Sequence, residues 1–231
     1  MIYYHRSGGF KPPQDNELLE INSDGTFSMW RSVGWATYPP SPIGQFGGQL
    51  DSNKTVQLQP LVEAAAGSGN LEMMISPDSP IETIELTGVH ATLGIHDDAP
   101  GPWGALIEQV RPMLGELTAF PQAAIGVEVL PGGQSARLIH LGQEPVQLGL
   151  GNLTVRAVLW EGYTKKDDWW ASKGNIIPTE MTARPGWQLD LPFDHGFKVT
   201  KGLEVIAYIN FELFQEEQPI PVSLESRRLQ T

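Results

Sequence analysis

Leu203-Glu204-Val205-Ile206-Ala207-Tyr208-Ile209-Asn210-Phe211-Glu212-Leu213 is the stretch that decides the fold class. Val205, Ala207, Ile209, Phe211 and Leu213 alternate with Ile206, Tyr208, Asn210 and Glu212. Successive side chains of a strand point to opposite faces, so this pattern predicts a strand in a sheet with one buried face. The same kind of segment recurs on both sides of it. Residues 125–130, 136–141, 146–150, 153–160, 187–191 and 222–228 are apolar or alternating runs, separated by turn sequences such as Pro131-Gly132-Gly133 and Arg184-Pro185-Gly186. No helix is predicted there. Many short strands with regular turn signals predict an all-β, immunoglobulin-like sandwich over residues 119–231. Residues 163–178 carry Lys165-Lys166-Asp167-Asp168-Trp169-Trp170 and are predicted as a long loop that leaves the sandwich. Two adjacent tryptophans cannot both enter a one-sided core from one strand, so at least one is expected outside it.

The first half reads differently. Strands are predicted at residues 2–5, 18–22 and 26–31, the last two joined by the Asp24-Gly25 hairpin turn. Residues 32–48 read as a loop rich in Gly, Pro and aromatic residues. Asp51 or Ser52 then caps a helix bearing Val56, Leu58, Leu61, Val62 and Ala65, which Pro60 is expected to limit because proline fits best in a first turn. Strands follow at 81–86 and 89–95 around Thr87-Gly88. A last helix carries Leu106, Ile107, Val110 and Leu114 on one apolar face. The pattern changes near residue 118, so residues 1–118 are expected to form an α+β domain ahead of the β-sandwich.

Composition limits the functions open to such a chain. Its 231 residues suit two domains. A net charge of −12 repels phosphate backbones, so nucleic acid is not an expected partner. The chain contains no cysteine, which removes disulfides, thiolate metal sites and thiol nucleophiles. The N-terminus lacks a secretory apolar run, and no stretch approaches the roughly 20 apolar residues of a membrane helix. Cytoplasm is the expected location, and no membrane partner is expected.

The sequence offers little for catalysis. Its histidines, His5, His90, His96, His140 and His195, are scattered singly, without the spacing of a hydrolytic zinc site. There is no Gly-x-Ser-x-Gly elbow and no phosphate-binding glycine loop. The expectation is therefore a binding protein, not an enzyme, with no cofactor and no metal. Tryptophan and tyrosine bury large area at little entropic cost, which makes exposed aromatics the candidate contacts. Those singled out are Trp35, Tyr38 and Phe46 in the first aromatic loop, and Trp169 and Trp170 in the second.

A family resemblance sharpens this expectation. The opening strand runs into Arg6-Ser7-Gly8-Gly9-Phe10, a helix carries Leu58-Gln59-Pro60-Leu61-Val62-Glu63-Ala64-Ala65, and paired strands lead through His96-Asp97-Asp98-Ala99-Pro100 to the closing helix. In these features residues 1–118 resemble the emfourin family, proteinaceous inhibitors of thermolysin-like metallopeptidases such as protealysin. The second domain more faintly resembles BsuPI-type intracellular proteinase inhibitors, through Gly142-Gln143-Glu144-Pro145-Val146 and the Pro185-Gly186 turn. The resemblance implies peptidase inhibition by occlusion of the active-site cleft. It adds Arg6, Ser7, Gly8, Gly9 and Phe10 to the candidate contacts. Two other readings stay open: an adaptor of a bacterial assembly, and a carbohydrate-binding module whose tryptophans stack on sugar rings.

Overall fold

The computed structural model describes residues 1–7, 17–34, 42–76, 80–95, 97–172, 178–215 and 217–231. In chain order the elements of the first half are β1 (Ile2–Ser7), β2 (Glu17–Ile21), β3 (Thr26–Arg31), β4 (Val33–Gly34), β5 (Ile43–Gln49), α1 (Ser52–Ser68), β6 (Leu71–Glu72), β7 (Ile81–Leu86), β8 (Val89–Gly94) and α2 (Gly101–Glu116). Those of the second half are β9 (Pro121–Val129), β10 (Ser135–Gly142), β11 (Val146–Glu161), β12 (Thr164–Ser172), β13 (Glu180–Ala183), β14 (Gln188–Pro192), β15 (Glu204–Gln215) and β16 (Gln218–Leu229). The protein is thus mostly β, with two α-helices among the described residues. No described helix is long and apolar enough to cross a membrane.

The chain divides into two compact units: residues 1–31 with 45–120, and residues 32–44 with 121–231. In the first unit the strand order is β5-β3-β2-β1-β7-β8-β6. Tyr4 lies opposite Leu19 and Ile84, and Leu19 lies opposite Met29, so these four buried side chains share one face. Glu82, Glu17 and Arg31 occupy the same face two residues away along their strands. Arg111 of α2 donates to Glu82, and Arg31 donates to the Leu114 carbonyl at 3.2 Å, so α2 lies on this face. Its Trp103, Leu106, Ile107, Val110, Met113 and Leu114 complete the core.

Asp51 caps α1, accepting from the Asn53 amide at 2.8 Å. Pro60 does not limit this helix as expected; the helix continues to Ser68. A proline inside a helix removes one backbone hydrogen bond, here the one to the Val56 carbonyl. Val56 belongs to an exposed turn, being 69% accessible, so water is at hand for the group that loses its partner.

The expected loop over 32–48 also needs correction, because it contains β4 and β5. Ile43 and Phe46 are both buried, and that burial holds β5 in place. Gly44 makes its path possible. Its φ is +117°, and a Cβ there would lie 2.3 Å from the Ala123 carbonyl oxygen.

In the second unit one sheet has the order β12-β11-β15-β16-β4, with β13 pairing the first residues of β11. A second run has the order β14-β10-β9. β9 lies against β11, β15 and β16. As the alternation predicts, Val205, Ala207, Ile209, Phe211 and Leu213 of β15 are buried. The two strands expected at 146–150 and 153–160 are one, β11, with an irregularity between Gly149 and Thr154.

The largest correction is β12. Residues 163–178 do not form one long loop, because Thr164–Ser172 pairs antiparallel with β11 from Glu161 back to Thr154. A tight turn with Gly162 at φ +58° joins the two strands. Hydrated charges are compatible with a strand at the end of a sheet, where the backbone pairs on one side and the side chains still reach water.

Candidate interaction site

The residues singled out in the sequence separate sharply in the structure. Phe46 is 1% exposed and belongs to the core of the first unit, so its ring is not offered to a partner. Arg6 and Ser7 end β1, opposite Glu82 and Ile81. Arg6 donates to Glu17 at 3.2 Å, and Glu17 also holds Arg31 at 2.5 Å. Arg6 is therefore tied to a buried carboxylate of its own unit. Gly8, Gly9, Phe10, Trp35 and Tyr38 lie outside the described residues.

Trp169 and Trp170 are brought to opposite faces of β12. Trp169 lies opposite Ala157, on the core side, and is half-buried. Its ring meets Phe193 edge-on at 6.1 Å and His195 at 6.4 Å. His195 is itself stacked on Phe197 at 3.9 Å. The Phe197 amide donates to His195 Nδ1 at 2.8 Å, so Nε2 carries the proton that points to the Gly133 carbonyl at 3.0 Å. Trp169 thus closes the side of its own core.

Trp170 faces outward and is 60% exposed. Directly opposite it on β11 is Arg156, and opposite Arg156 on β15 is Tyr208. The guanidinium carbon of Arg156 lies 4.7 Å from the Trp170 ring centre and 5.3 Å from that of Tyr208. Attraction between a cation and an aromatic face operates at these distances. Asp168, two residues before Trp170 and so on the same face, accepts from Arg156 Nε at 2.9 Å and Nη2 at 2.7 Å. Lys165 adds a third bond to Asp168 at 3.2 Å. The two-pronged bond from Arg156 holds the Asp168 carboxyl down at about 2.

The row continues to Glu225 on β16, opposite Tyr208. Burial pushes both the Glu225 carboxyl and the Tyr208 hydroxyl above their ordinary values. Arg227 donates to Glu225 at 3.0 Å. The result is a strip across four strands: an exposed indole, a guanidinium beside two rings and bonded to Asp168, and a carboxylate on β16 bonded to Arg227. A preorganised exposed aromatic loses little freedom on binding, which suits it to protein recognition.

Arg156, Tyr208 and Glu225 were not candidates in the sequence. They are far apart in the chain, and only strand register aligns them. Among the described residues no group of three His, Asp or Glu side chains is placed to hold a metal ion. Comparison with family models, with curated proteins and with solved structures finds no match.

Proposed function

We propose that this chain is a protein-binding protein whose contact includes the Trp170 strip, and that its binding acts as peptidase inhibition. The observation that carries the binding reading is Trp170: a large ring, mostly exposed, with the Arg156 guanidinium over it, itself held by Asp168. Rigid aromatic and arginine anchors dominate the energy of protein interfaces. The inhibitory form rests on the resemblance of residues 1–118 to emfourins. In that reading Phe10 and the Gly/Pro-rich stretch that carries Trp35 and Tyr38 supply the contact that enters the cleft of a thermolysin-like metallopeptidase and excludes substrate. The second unit, with β9 against three strands of the facing sheet, supports an immunoglobulin-like sandwich as the second domain.

Titrating the full chain into several thermolysin-like peptidases tests this. Loss of peptide hydrolysis in proportion to added chain is the expected result. Full activity at micromolar excess over every enzyme overturns the inhibitory reading. A stable complex that leaves hydrolysis intact replaces it with an adaptor role.

A further inference from the structure

We infer that β12 is a self-recognition edge, pairing antiparallel with β12 of a second copy of this chain. β12 ends the strand order of its sheet and, among the described residues, pairs only with β11. Its outer side therefore offers backbone groups to a second strand; one of them, the Asp168 amide, donates to its own Asp167 carboxylate at 2.8 Å, a local bond that pairing would exchange for one across the interface. The strand carries Lys165-Lys166-Asp167-Asp168, a charge pattern complementary to itself when read backwards. In one antiparallel register Lys165 meets Asp168 of the second copy and Lys166 meets its Asp167. The same register brings the turn that carries the exposed Tyr163 toward the end of β12 that carries Trp170 in the second copy.

This register demands that opposed residues share a face. In a regular strand Lys166 and Asp167 would point to opposite faces, and the register would fail. β12 is not regular. Leu159 pairs with Asp167 and Trp160 with Lys165, so Lys166 is an inserted residue. Asp167 lies on the Leu159 side, and Lys166 bonds Glu161 on that same side at 2.6 Å. Lys165 and Asp168 share the other face, where they bond each other. The bulge therefore makes both pairs of opposite charges coincide.

Lysines on a sheet edge ordinarily repel a stray strand, because its partner offers no counter-charge. Here a second copy does offer it, and a two-fold axis counts each contact twice. The internal pairs of Lys165 and Lys166 are exposed and weak, so exchanging them across the interface costs little. Single-strand pairing is small against a standard interface, which places the dimer among weak, reversible associations. The outer strips of two copies would then form one longer strip, leaving the binding face in use.

Sedimentation of the full chain over a concentration series tests the inference. The expected result is a monomer–dimer equilibrium that weakens with salt. Lys166→Asp should weaken the dimer about tenfold, since two attractive contacts become repulsive. Adding Asp167→Lys to that chain should restore it, because the charges again complement. Lys198→Asp, which lowers the net charge equally from an exposed position off β12, should change nothing. A chain that sediments as monomer throughout overturns the inference, as does a dimer indifferent to Lys166→Asp or not rescued by the second change. None of these outcomes depends on whether the chain inhibits a peptidase.

Discussion

The Arg156 side chain organises the exposed strip, and its chemistry explains why lysine would not replace it. A guanidinium is planar, so it can stack between Trp170 and Tyr208 while donating two parallel bonds to Asp168. An ammonium holds Asp168 by one bond and stacks on neither ring. Arg156→Lys is expected to destabilise the second unit by about 1 kcal/mol and to free the Trp170 ring. Denaturant titration measures the first effect, and faster quenching of tryptophan fluorescence the second. Acid gives an independent reading of the same bond. The Asp168 carboxyl is lowered from 3.8 to about 2, so the folded state binds its proton less readily than the unfolded chain. Its contribution is complete above 3.8 and is lost as pH falls toward 2. Melting temperature should therefore drop more steeply across that window in the wild type than in Asp168→Asn, and the two should converge below it. Glu225 carries the opposite sign. Its carboxyl is raised from 4.5 by burial, so its contribution is present below 4.5 and declines as pH rises through the raised value.

Elements are held in place by buried polar pairs as much as by apolar packing. Glu82 on β7 is 1% exposed and accepts from the Tyr4 hydroxyl at 2.8 Å and from Arg111 Nε at 2.9 Å. Arg111 also reaches the Asp97 carbonyl at 2.9 Å, which ties the loop before α2 to the helix. Burial, reinforced by the Glu82 carboxylate beside it, pushes the Tyr4 hydroxyl up strongly. Glu82→Ala leaves the buried Tyr4 hydroxyl without its acceptor and the part-exposed Arg111 cation without its counter-charge, and is expected to cost about 3 kcal/mol. Tyr4→Phe keeps the ion pair and removes one charged hydrogen bond, about 1.5–3 kcal/mol. Calorimetric unfolding of both variants checks the order. At β5 the expectation is steric: Gly44→Ala must shift backbone around Ala123 and also strain a φ of +117°, so a clear loss of stability follows. These elements differ in how far the sequence announces them. The Asp51 cap and the Asp24-Gly25 turn are local chemistry and are legible. Pro60 misleads because its cost is local while α1 is held by packing of Leu58 and Ala65. β12 misleads because its charges describe the side chains' solvent, not the backbone's partner.

Across the whole molecule, composition and periodicity announce a β-rich chain with two helices, and the structure has both. What they do not announce is which distant segments join. Residues 32–44 belong with the second unit, where Val33 and Gly34 pair parallel with Ser223 and Leu224. That pairing spans most of the chain and leaves no local mark. The candidate site is similarly split. That at least one of Trp169 and Trp170 lies outside a one-sided core is legible, since they are adjacent in one strand; which of the two it is depends on the register of β12. The partners of Trp170 are not legible, because Arg156, Tyr208 and Glu225 meet only through the registers of β11, β15 and β16. Phe46 shows the converse error: an aromatic in a glycine-rich stretch looks free until the strand containing it is known.

The central claim is that this exposed strip binds a protein and that the binding inhibits a peptidase. The most direct measurement is the inhibition constant of the wild type and of Trp170→Ala against a thermolysin-like peptidase. The ring is mostly exposed, so the variant is expected to melt within a few degrees of the wild type. The wild type is expected to inhibit and the variant to be weaker by roughly thirtyfold, equivalent to about 2 kcal/mol. Equal inhibition by the two chains, or none by either, would contradict the claim.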